Sequence, residues 1–279
     1  MTGSLTRRMK RALLDLAVRA GYDVEKNPGS FPPYRVLKRL NLGVDPLADV
    51  RTILGDSLAC IFDVGAHIGQ TAERLTAAFP QALIYSFEPD PASFAKLRAL
   101  ADSVGRIHAI NAAVGDTDGH AAFYVNRFDE TSSLLKAAPG ASQYLLDASG
   151  LTLHSEISVP VFSLDRFCEE HGITRIDLLK LDAQGYEMRI LDGAWALVGR
   201  LAIPLIYLEV SFVRIYEGQP LFPEIYQYLF ERGYRLVWLY ETSFHTHFYC
   251  LGANAIFIHE SIGIRSRQAN RSRGMTDIA

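Results

Sequence analysis

The residues of this 279-residue chain best placed to do chemistry are glycines and carboxylates at the ends of short apolar runs. Asp63-Val64-Gly65-Ala66-His67-Ile68-Gly69 follows an apolar stretch that begins at Leu58, and it opens a helical pattern over 69–79. In a doubly wound sheet a nucleotide-like cofactor binds at this kind of strand-to-helix turn. Gly65 permits the sharp turn and Gly69 permits close approach of backbone to ligand. Position 67 is histidine and no glycine falls three residues after Gly69, so the chain lacks the G-x-G-x-x-G dinucleotide fingerprint. A cofactor without a pyrophosphate suits the turn better. About one βα unit later, Phe87-Glu88-Pro89 sets a carboxylate at a second strand end, where it can accept hydrogen bonds from two ribose hydroxyls, and Pro89 ends the strand. Taken singly, the glycines would serve helix–sheet packing and the glutamate would be a solvated strand end. In this order and spacing they point to one cofactor site.

Positioning these groups takes an alternation of strands and helices. Strands are expected at Leu58–Val64, Ala82–Phe87, Ile107–Ala113, 120–125, 157–163, Asp177–Leu181, Pro204–Val210, 234–240 and 253–258. Helices are expected at 69–79, 91–102, 164–171, 186–198 and 221–232. Such alternation implies an α/β, doubly wound, Rossmann-like parallel sheet covered on both faces. The last two strands follow one another without a helix and should form an antiparallel pair at the sheet edge. The polar segment 126–156 is long for a connection inside a compact domain and reads as a lid or binding segment. Before the sheet, residues 1–57 read as an N-terminal helical extension. Its helices lie over about 5–20, 35–41 and 46–56, with a proline-rich linker at 28–34. Residues 58–260 form the main domain and 261–279 a basic tail.

Composition narrows the function. The net charge is −3, but residues 12–260 carry 20 bases against 30 acids, a net −10, between two basic ends. An acidic body argues against nucleic acid as a partner, while the basic termini leave room for weak contact with an anionic membrane surface. Cys60, Cys168 and Cys250 are odd in number and widely spaced, so neither a disulfide framework nor a structural zinc site is indicated. No signal peptide or transmembrane stretch is read, and a cytoplasmic protein is expected. Nothing in the sequence sets an oligomeric state.

The motifs together resemble S-adenosylmethionine-dependent methyltransferases, and specifically the FkbM family. The resemblance spans roughly 59–258 and rests on Asp63–Gly69, Phe87-Glu88-Pro89, Asn111-Ala112-Ala113-Val114-Gly115-Asp116 and Ile176-Asp177-Leu178-Leu179-Lys180-Leu181-Asp182-Ala183-Gln184-Gly185-Tyr186-Glu187. It implies a seven-stranded class I methyltransferase sheet whose last two strands are the antiparallel pair. It also implies O-methylation of hydroxyls on sugars, glycolipids, polysaccharides or polyketide-type natural products, so the expected partner is a small-molecule or glycan acceptor. Gly65 and Gly69 would then bracket the methionine portion of S-adenosylmethionine, Glu88 its ribose, and Asn111 with Ala112 its adenine edge, and Asp63, Ala66, His67 and Pro89 complete the expected cofactor-binding set. Asp182 would face its ammonium or the acceptor. The chain departs from the family at His67, commonly asparagine, and at Gln184, often glutamate. His67 is expected to act as a turn-stabilising side chain. The segment Thr131–Leu134 matches a Ser-Ser-Leu-like element that would touch cofactor.

A methyl acceptor hydroxyl is too weak an acid to ionise near neutrality, so a positioned general base is useful. Asp182, Glu209 and His245 are the candidates. The alternative for Lys180-x-Asp182 is a salt-bridged strand end, and for Glu209 a packing partner. His245 and His247, if extended, would face one side at a period of two and could join carboxylates around a divalent cation. No H-x-x-E or C-x-x-C pattern supports a metal, and none is assigned. Phe212, Tyr216, Phe222, Tyr226 and Tyr228 would line an acceptor pocket or, in their helical part, pack in the core. Two other functions remain open: a methyltransferase-like binding or scaffold protein without turnover, and a nicotinamide oxidoreductase, which the missing third glycine disfavours.

Overall fold

A computed structural model describes residues 42–262. The helices expected over 5–20 and 35–41, the linker at 28–34 and nearly all of the basic tail lie outside the described residues. The first described helix, α1 (Pro46–Leu54), starts where the Asp45 carboxylate accepts hydrogen bonds from the backbone of Leu47 and Ala48, and Pro46 supplies a preset φ. It buries Leu47 and Val50 in the main core.

The chain then runs β1 (Cys60–Val64), α2 (Gln70–Ala78), β2 (Leu83–Phe87), α3 (Pro91–Val104) and β3 (Ile107–Ile110). After an excursion it resumes with α4 (Leu164–Glu170), β7 (Leu178–Leu181), α5 (Glu187–Asp192), α6 (Trp195–Gly199), β8 (Leu205–Ser211), α7 (Phe222–Glu231), β9 (Tyr234–Phe244) and β10 (Cys250–His259). Seven of the strands form one sheet in the order β3-β2-β1-β7-β8-β10-β9. The pairs among β1, β2, β3, β7 and β8 are parallel, and β10 runs antiparallel to both β8 and β9. The doubly wound seven-stranded sheet and its antiparallel final pair are as the sequence implied. Successive strand residues enter opposite cores: Ile61 packs with α1, α2 and α3, while Phe62 packs with α4 to α7. Each fully buried side chain of this size stabilises the fold by roughly 1.5–3 kcal/mol.

Three details differ from the sequence expectation. The strand expected to run to Ala113 stops at Ile110, because Ala113–Val114 (β4) pairs instead in a second, three-stranded sheet with β5 (Gly119–Asn126) and β6 (Leu153–Phe162), in the order β4-β6-β5. The helix expected over 186–198 is two helices. A Cβ on Gly193 would lie 1.9 Å from the carbonyl oxygen of Gly115, so the chain there touches another backbone and the first helix ends. The second starts on the Asp165 carboxylate, which accepts from the amides of Ala196 and Leu197. The segment 126–156 is also more ordered than an open loop. It contains three short 3-10 turns, β6 begins inside it, and the Asn126 side chain and Ser132 hydroxyl close its first turn.

A charged group sits in the middle of the sheet. Lys180 interrupts the apolar run Leu178–Leu181, and the parallel register sets it beside Asp63 of β1. Its side chain is 6% exposed, with Nζ 3.4 Å from Asp63 Oδ1, 3.3 Å from Asp182 Oδ2 and 3.5 Å from the Gly65 carbonyl. Burial works against its charge, but the two carboxylates outweigh this and raise its pKa. Asp63 is wholly buried, and burial raises its pKa in spite of the ammonium. Replacing one partner of a buried ion pair strands the other, so Lys180→Met should cost about 3–5 kcal/mol in urea unfolding at pH 7. A buried carboxyl with a raised pKa loses stability as pH rises through its folded value and recovers it below the unfolded one. The deficit of Lys180→Met relative to wild type should therefore shrink toward pH 4, as Asp63 takes up a proton. An equal deficit at both pH values would contradict this reading.

Candidate functional site

The turn after β1 is held by the end of β2. The amides of Gly65 and Ala66 both donate to the carbonyl of Phe87 at 3.0 Å. Glu88 continues this attachment with its side chain: Oε2 accepts from the His67 amide at 2.8 Å and Oε1 from the Asp90 amide at 2.8 Å. The carboxylate thus clips the two strand ends together, and each oxygen retains a further lone pair for a ligand. Burial is the largest influence on its acidity. It outweighs the two amides and His67 and raises the Glu88 pKa to about 7.

Gly65 has φ +74°, and a Cβ there would lie 1.8 Å from the carbonyl oxygen of Asp182. The β1 turn therefore rests backbone to backbone on the end of β7, which only glycine allows. Gly69 serves helix packing: the space its missing Cβ leaves faces Leu97 and Leu100 of α3. Asn111, just past β3, donates from Nδ2 to the carbonyls of Glu88 at 2.9 Å and Pro89 at 3.2 Å, and so braces the β2 turn.

Over these strand ends opens a cavity of about 420 Å³. Of the residues the sequence singled out, Gly65, Ala66, His67, Glu88, Pro89, Ala112, Asp182 and Glu209 line it. Asp63, Gly69 and Asn111 do not, and they support it from behind. The segment 126–156 provides one wall through Asp129, Glu130, Thr131, Ser132 and Leu134. His67, in a left-handed conformation at φ 50°, reaches this wall with Nε2 3.2 Å from Asp129 Oδ2. Among the described residues His67, Asp129 and Glu130 form one group with three metal-ligating atoms within 4.8 Å of one another.

At the other end of the cavity the carboxylates of Asp182 and Glu209 meet. Gln184 Nε2 donates to Asp182 Oδ1 and to Glu209 Oε2, each at 2.9 Å. Burial opposes ionisation of Asp182, but the Lys180 ammonium and the hydrogen bonds from Gln184, Glu209 and Lys180 prevail and lower its pKa. Glu209 moves the other way: burial first, then the charges of Asp182 and Glu187, push its pKa well above the ordinary value. The two carboxyls are therefore displaced in opposite directions, Asp182 toward the anion and Glu209 toward the protonated form. Glu187 shapes the loop between them, accepting from the amides of Ala183 at 2.9 Å and Gly185 at 3.3 Å.

His245 lies outside the cavity lining, near the end of the β9–β10 hairpin. Its Nε2 is 3.2 Å from the Gln143 carbonyl, and its ring stacks on His247 and Tyr249 at centroid distances of 4.8 and 4.7 Å. Of the aromatic group, Phe212, Phe222 and Tyr228 pack against the core, while Tyr216 turns its hydroxyl to Gln184 Oε1 at 3.0 Å and to the Thr131 carbonyl at 2.8 Å. Sequence reasoning underrated Lys180, Gln184 and Tyr216. For Lys180 the signal was present, since a lone charge in a four-residue buried strand requires a partner. For Gln184 and Tyr216 there was none, because they are 32 residues apart.

The sequence matches the model of the methyltransferase FkbM domain over residues 63–236. It is 29% identical to 2-O-methyltransferase NoeI of Sinorhizobium fredii, in an alignment covering 57% of this chain and 66% of that protein. It is 32% identical to 31-O-demethyl-FK506 methyltransferase FkbM of Streptomyces tacrolimicus, covering 48% of this chain and 58% of that protein. The chain thus spans between half and two thirds of the length of these relatives. The crystal structure of magnesium protoporphyrin IX methyltransferase from Synechocystis PCC 6803 aligns with 93% of this chain at 13% identity and a TM-score of 0.41. With the family model covering Asp63 to Leu236, and so both the glycine turn and the Asp182 loop, the chain belongs to the methyltransferase FkbM domain family.

Proposed function

We propose that the chain is an S-adenosylmethionine-dependent O-methyltransferase that acts on a hydroxyl of a sugar, glycolipid, polysaccharide or polyketide-type natural product. The observation that carries this reading is the cavity itself. The Glu88 carboxylate and a glycine turn stand at one end and the Asp182 and Glu209 carboxyls at the other. A cavity with Glu88 and the Asp182 anion in its walls suits a ligand bearing positive charge, and the cofactor carries both an ammonium and a sulfonium. The glycine turn leaves its backbone open to a ligand, while Glu88 keeps free lone pairs for a diol. When bound, the cofactor supplies a methyl group on positively charged sulfur.

The protein's task is then positioning and proton removal. Glu88 orients the ribose, and Gly65 and Ala66 accept the methionine portion along their backbone. His67 and Asp129 join the glycine turn to the insertion, which screens the reacting end from water. Asp182, held as an anion by Lys180, accepts the acceptor hydroxyl, and the Asp182–Glu209 pair takes its proton as the new carbon–oxygen bond forms. His245, outside the lining, is not assigned a part. The three free cysteines suit a reducing compartment such as the cytoplasm, with Cys60 and Cys168 pushed by burial to pKa values of about 12 and so kept as unreactive thiols. Among the described residues no helix is long and apolar enough to cross a membrane. The acidic main body disfavours nucleic acid as the acceptor.

Methyl transfer from isotopically labelled S-adenosylmethionine, screened over sugar, glycolipid and polyketide hydroxyls, tests the activity. S-adenosylmethionine and S-adenosylhomocysteine should each raise the melting temperature, and NAD should not. A shift with NAD alone would favour an oxidoreductase, and cofactor binding with no transfer to any acceptor would favour a binding protein.

The Glu88→Ala variant should bind S-adenosylhomocysteine more weakly by about 1.5–3 kcal/mol, as expected for lost hydrogen bonds to a charged acceptor. The ionised form of Glu88 is the one that accepts the ribose hydroxyls, and its pKa in the free protein is about 7. Calorimetric affinity should therefore fall about tenfold from pH 8 to pH 6. Glu88→Ala should flatten that dependence, and a wild-type affinity independent of pH would remove Glu88 from the ribose.

A further inference from the structure

Gln184 stands at the junction of everything that faces the reacting end of the cavity. Its backbone is left-handed at φ 51°, which turns the chain sharply after β7 and brings its side chain back over Asp182. The amide nitrogen has two hydrogens, and two carboxyl oxygens on different strands receive them: Asp182 Oδ1 after β7 and Glu209 Oε2 on β8, both at 2.9 Å. The amide oxygen faces a donor, the Tyr216 hydroxyl at 3.0 Å. This arrangement fixes which way the amide points. Reversed, the carbonyl would face two carboxyl oxygens, one of them on the Asp182 anion, whereas in the orientation present the single hydrogen of the Tyr216 hydroxyl lies between the carbonyls of Thr131 and Gln184.

The amide's supports are themselves held. The Gln184 carbonyl accepts from Ser133 Oγ at 2.8 Å, and Ser133 is 1% exposed. Tyr216 is 2% exposed, and its hydroxyl also lies 2.8 Å from the Thr131 carbonyl. Its own backbone amide, with that of Ile215, is bound by Gln219 Oε1 at 3.2 and 2.8 Å. Further along, the amides of Ala138 and Glu217 pair the insertion with the same stretch through the carbonyls of Ile215 and Lys136, each at 2.8 Å. Thr131 belongs to the cavity wall formed by the insertion and Ser133 stands between the wall residues Ser132 and Leu134, so the wall and the carboxyl pair are joined through Gln184.

We propose that Gln184 is the positioning residue of the reacting end, its side-chain amide clamping the Asp182 and Glu209 carboxyls in one geometry while Tyr216 and Ser133 lock that clamp to the insertion. The proposal rests on the methyltransferase reading only in calling this the reacting end; the clamp itself is a property of the free protein. An amide meets this need where a carboxylate would not. It gives two donors to two acceptors and adds no charge, whereas glutamate at 184 would set a third carboxyl against the other two.

The clamp has a signature that needs no acceptor. An N–H donor stabilises the ionised form of the carboxyl it binds, so removing it should shift that carboxyl to titrate at higher pH. Glu209 is faced by Asp182 and Lys180 from the β7 end and by Glu187 from α5, and none of these is altered in the test. The carboxylic-acid carbonyl band of Glu209, identified as the infrared signal lost in Glu209→Gln, would be titrated in the ligand-free full chain. Gln184→Leu should move its midpoint upward by about one pH unit or more, and Tyr216→Phe should move it less in the same direction. Gln184→Asn, too short to reach both carboxyls, should not restore the wild-type midpoint.

An unchanged midpoint in a folded Gln184→Leu protein would overturn the clamp. If Gln184→Leu does not fold, Tyr216→Phe decides alone, since it keeps the ring and loses only the hydroxyl that orients the amide; an unchanged midpoint there also overturns the proposal. S-adenosylhomocysteine binding, measured by calorimetry on the wild-type sample, separates the two readings. Absence of binding retires the cofactor assignment and leaves the infrared result standing.

Discussion

The Lys180 ammonium is the interaction on which the rest of the site depends. It is a full charge inside the sheet, 6% exposed, and it is tolerable only because Asp63, Asp182 and the Gly65 carbonyl surround it. These three partners come from the end of β1, the turn that follows it and the end of β7. One buried cation therefore fixes the spacing of the two central strands at the edge where the cavity opens. It also sets the charge state of Asp182, which stays ionised despite burial. Burial, and after it the negative charges of Asp182 and Glu187, push the neighbouring Glu209 the other way, well above the ordinary carboxyl range. The difference between the two carboxyls thus comes from burial of Glu209 and from the Lys180 ammonium beside Asp182.

A second carboxylate does similar structural work at the opposite end. Glu88 binds the amides of His67 and Asp90 and so ties the β1 turn to the β2 turn. The same group faces the cavity, with a pKa pushed up to about 7 because burial makes its charge costly. The backbone contact between Gly65 and Asp182 then closes the circuit between the Glu88 end and the Lys180 end. The cavity is bounded by strand ends that constrain one another.

The insertion completes the enclosure from outside the main sheet. Its flanking strands β5 and β6 belong to the separate three-stranded sheet, so its position relative to the cavity is set by a few specific contacts rather than by main-sheet hydrogen bonding. At the cavity those contacts include His67 with Asp129, Ser133 with the Gln184 carbonyl, and Tyr216 with Thr131. Each links a residue of the insertion to a residue that either lines the cavity or orients one that does. The wall is therefore registered on the chemistry and not merely draped over it.

Local pattern was enough to determine the alternation of strands and helices, the parallel sheet with its antiparallel last pair, the glycine turn and the strand-end carboxylates Glu88, Asp182 and Glu209. All of these follow from periodicity, from the positions where apolar runs stop and from short contiguous motifs, which a chain carries whatever its partners. Where the sequence reading went astray, the deciding contact was remote. The helix after Tyr186 breaks because Gly193 meets the backbone of Gly115, and β4 leaves the main sheet to pair with β6. His245 stands at the right hairpin but outside the cavity, because its ring stacks on His247 and Tyr249 instead. Gln184 changed most. In sequence it is an amide where a carboxylate is common, whereas in the structure it joins two carboxyls from neighbouring strands to a phenol 32 residues on. Residue type told what each side chain can donate or accept; only the tertiary structure decided which groups stand within 3 Å of it, because hydrogen bonding depends on distance in space and not on separation along the chain.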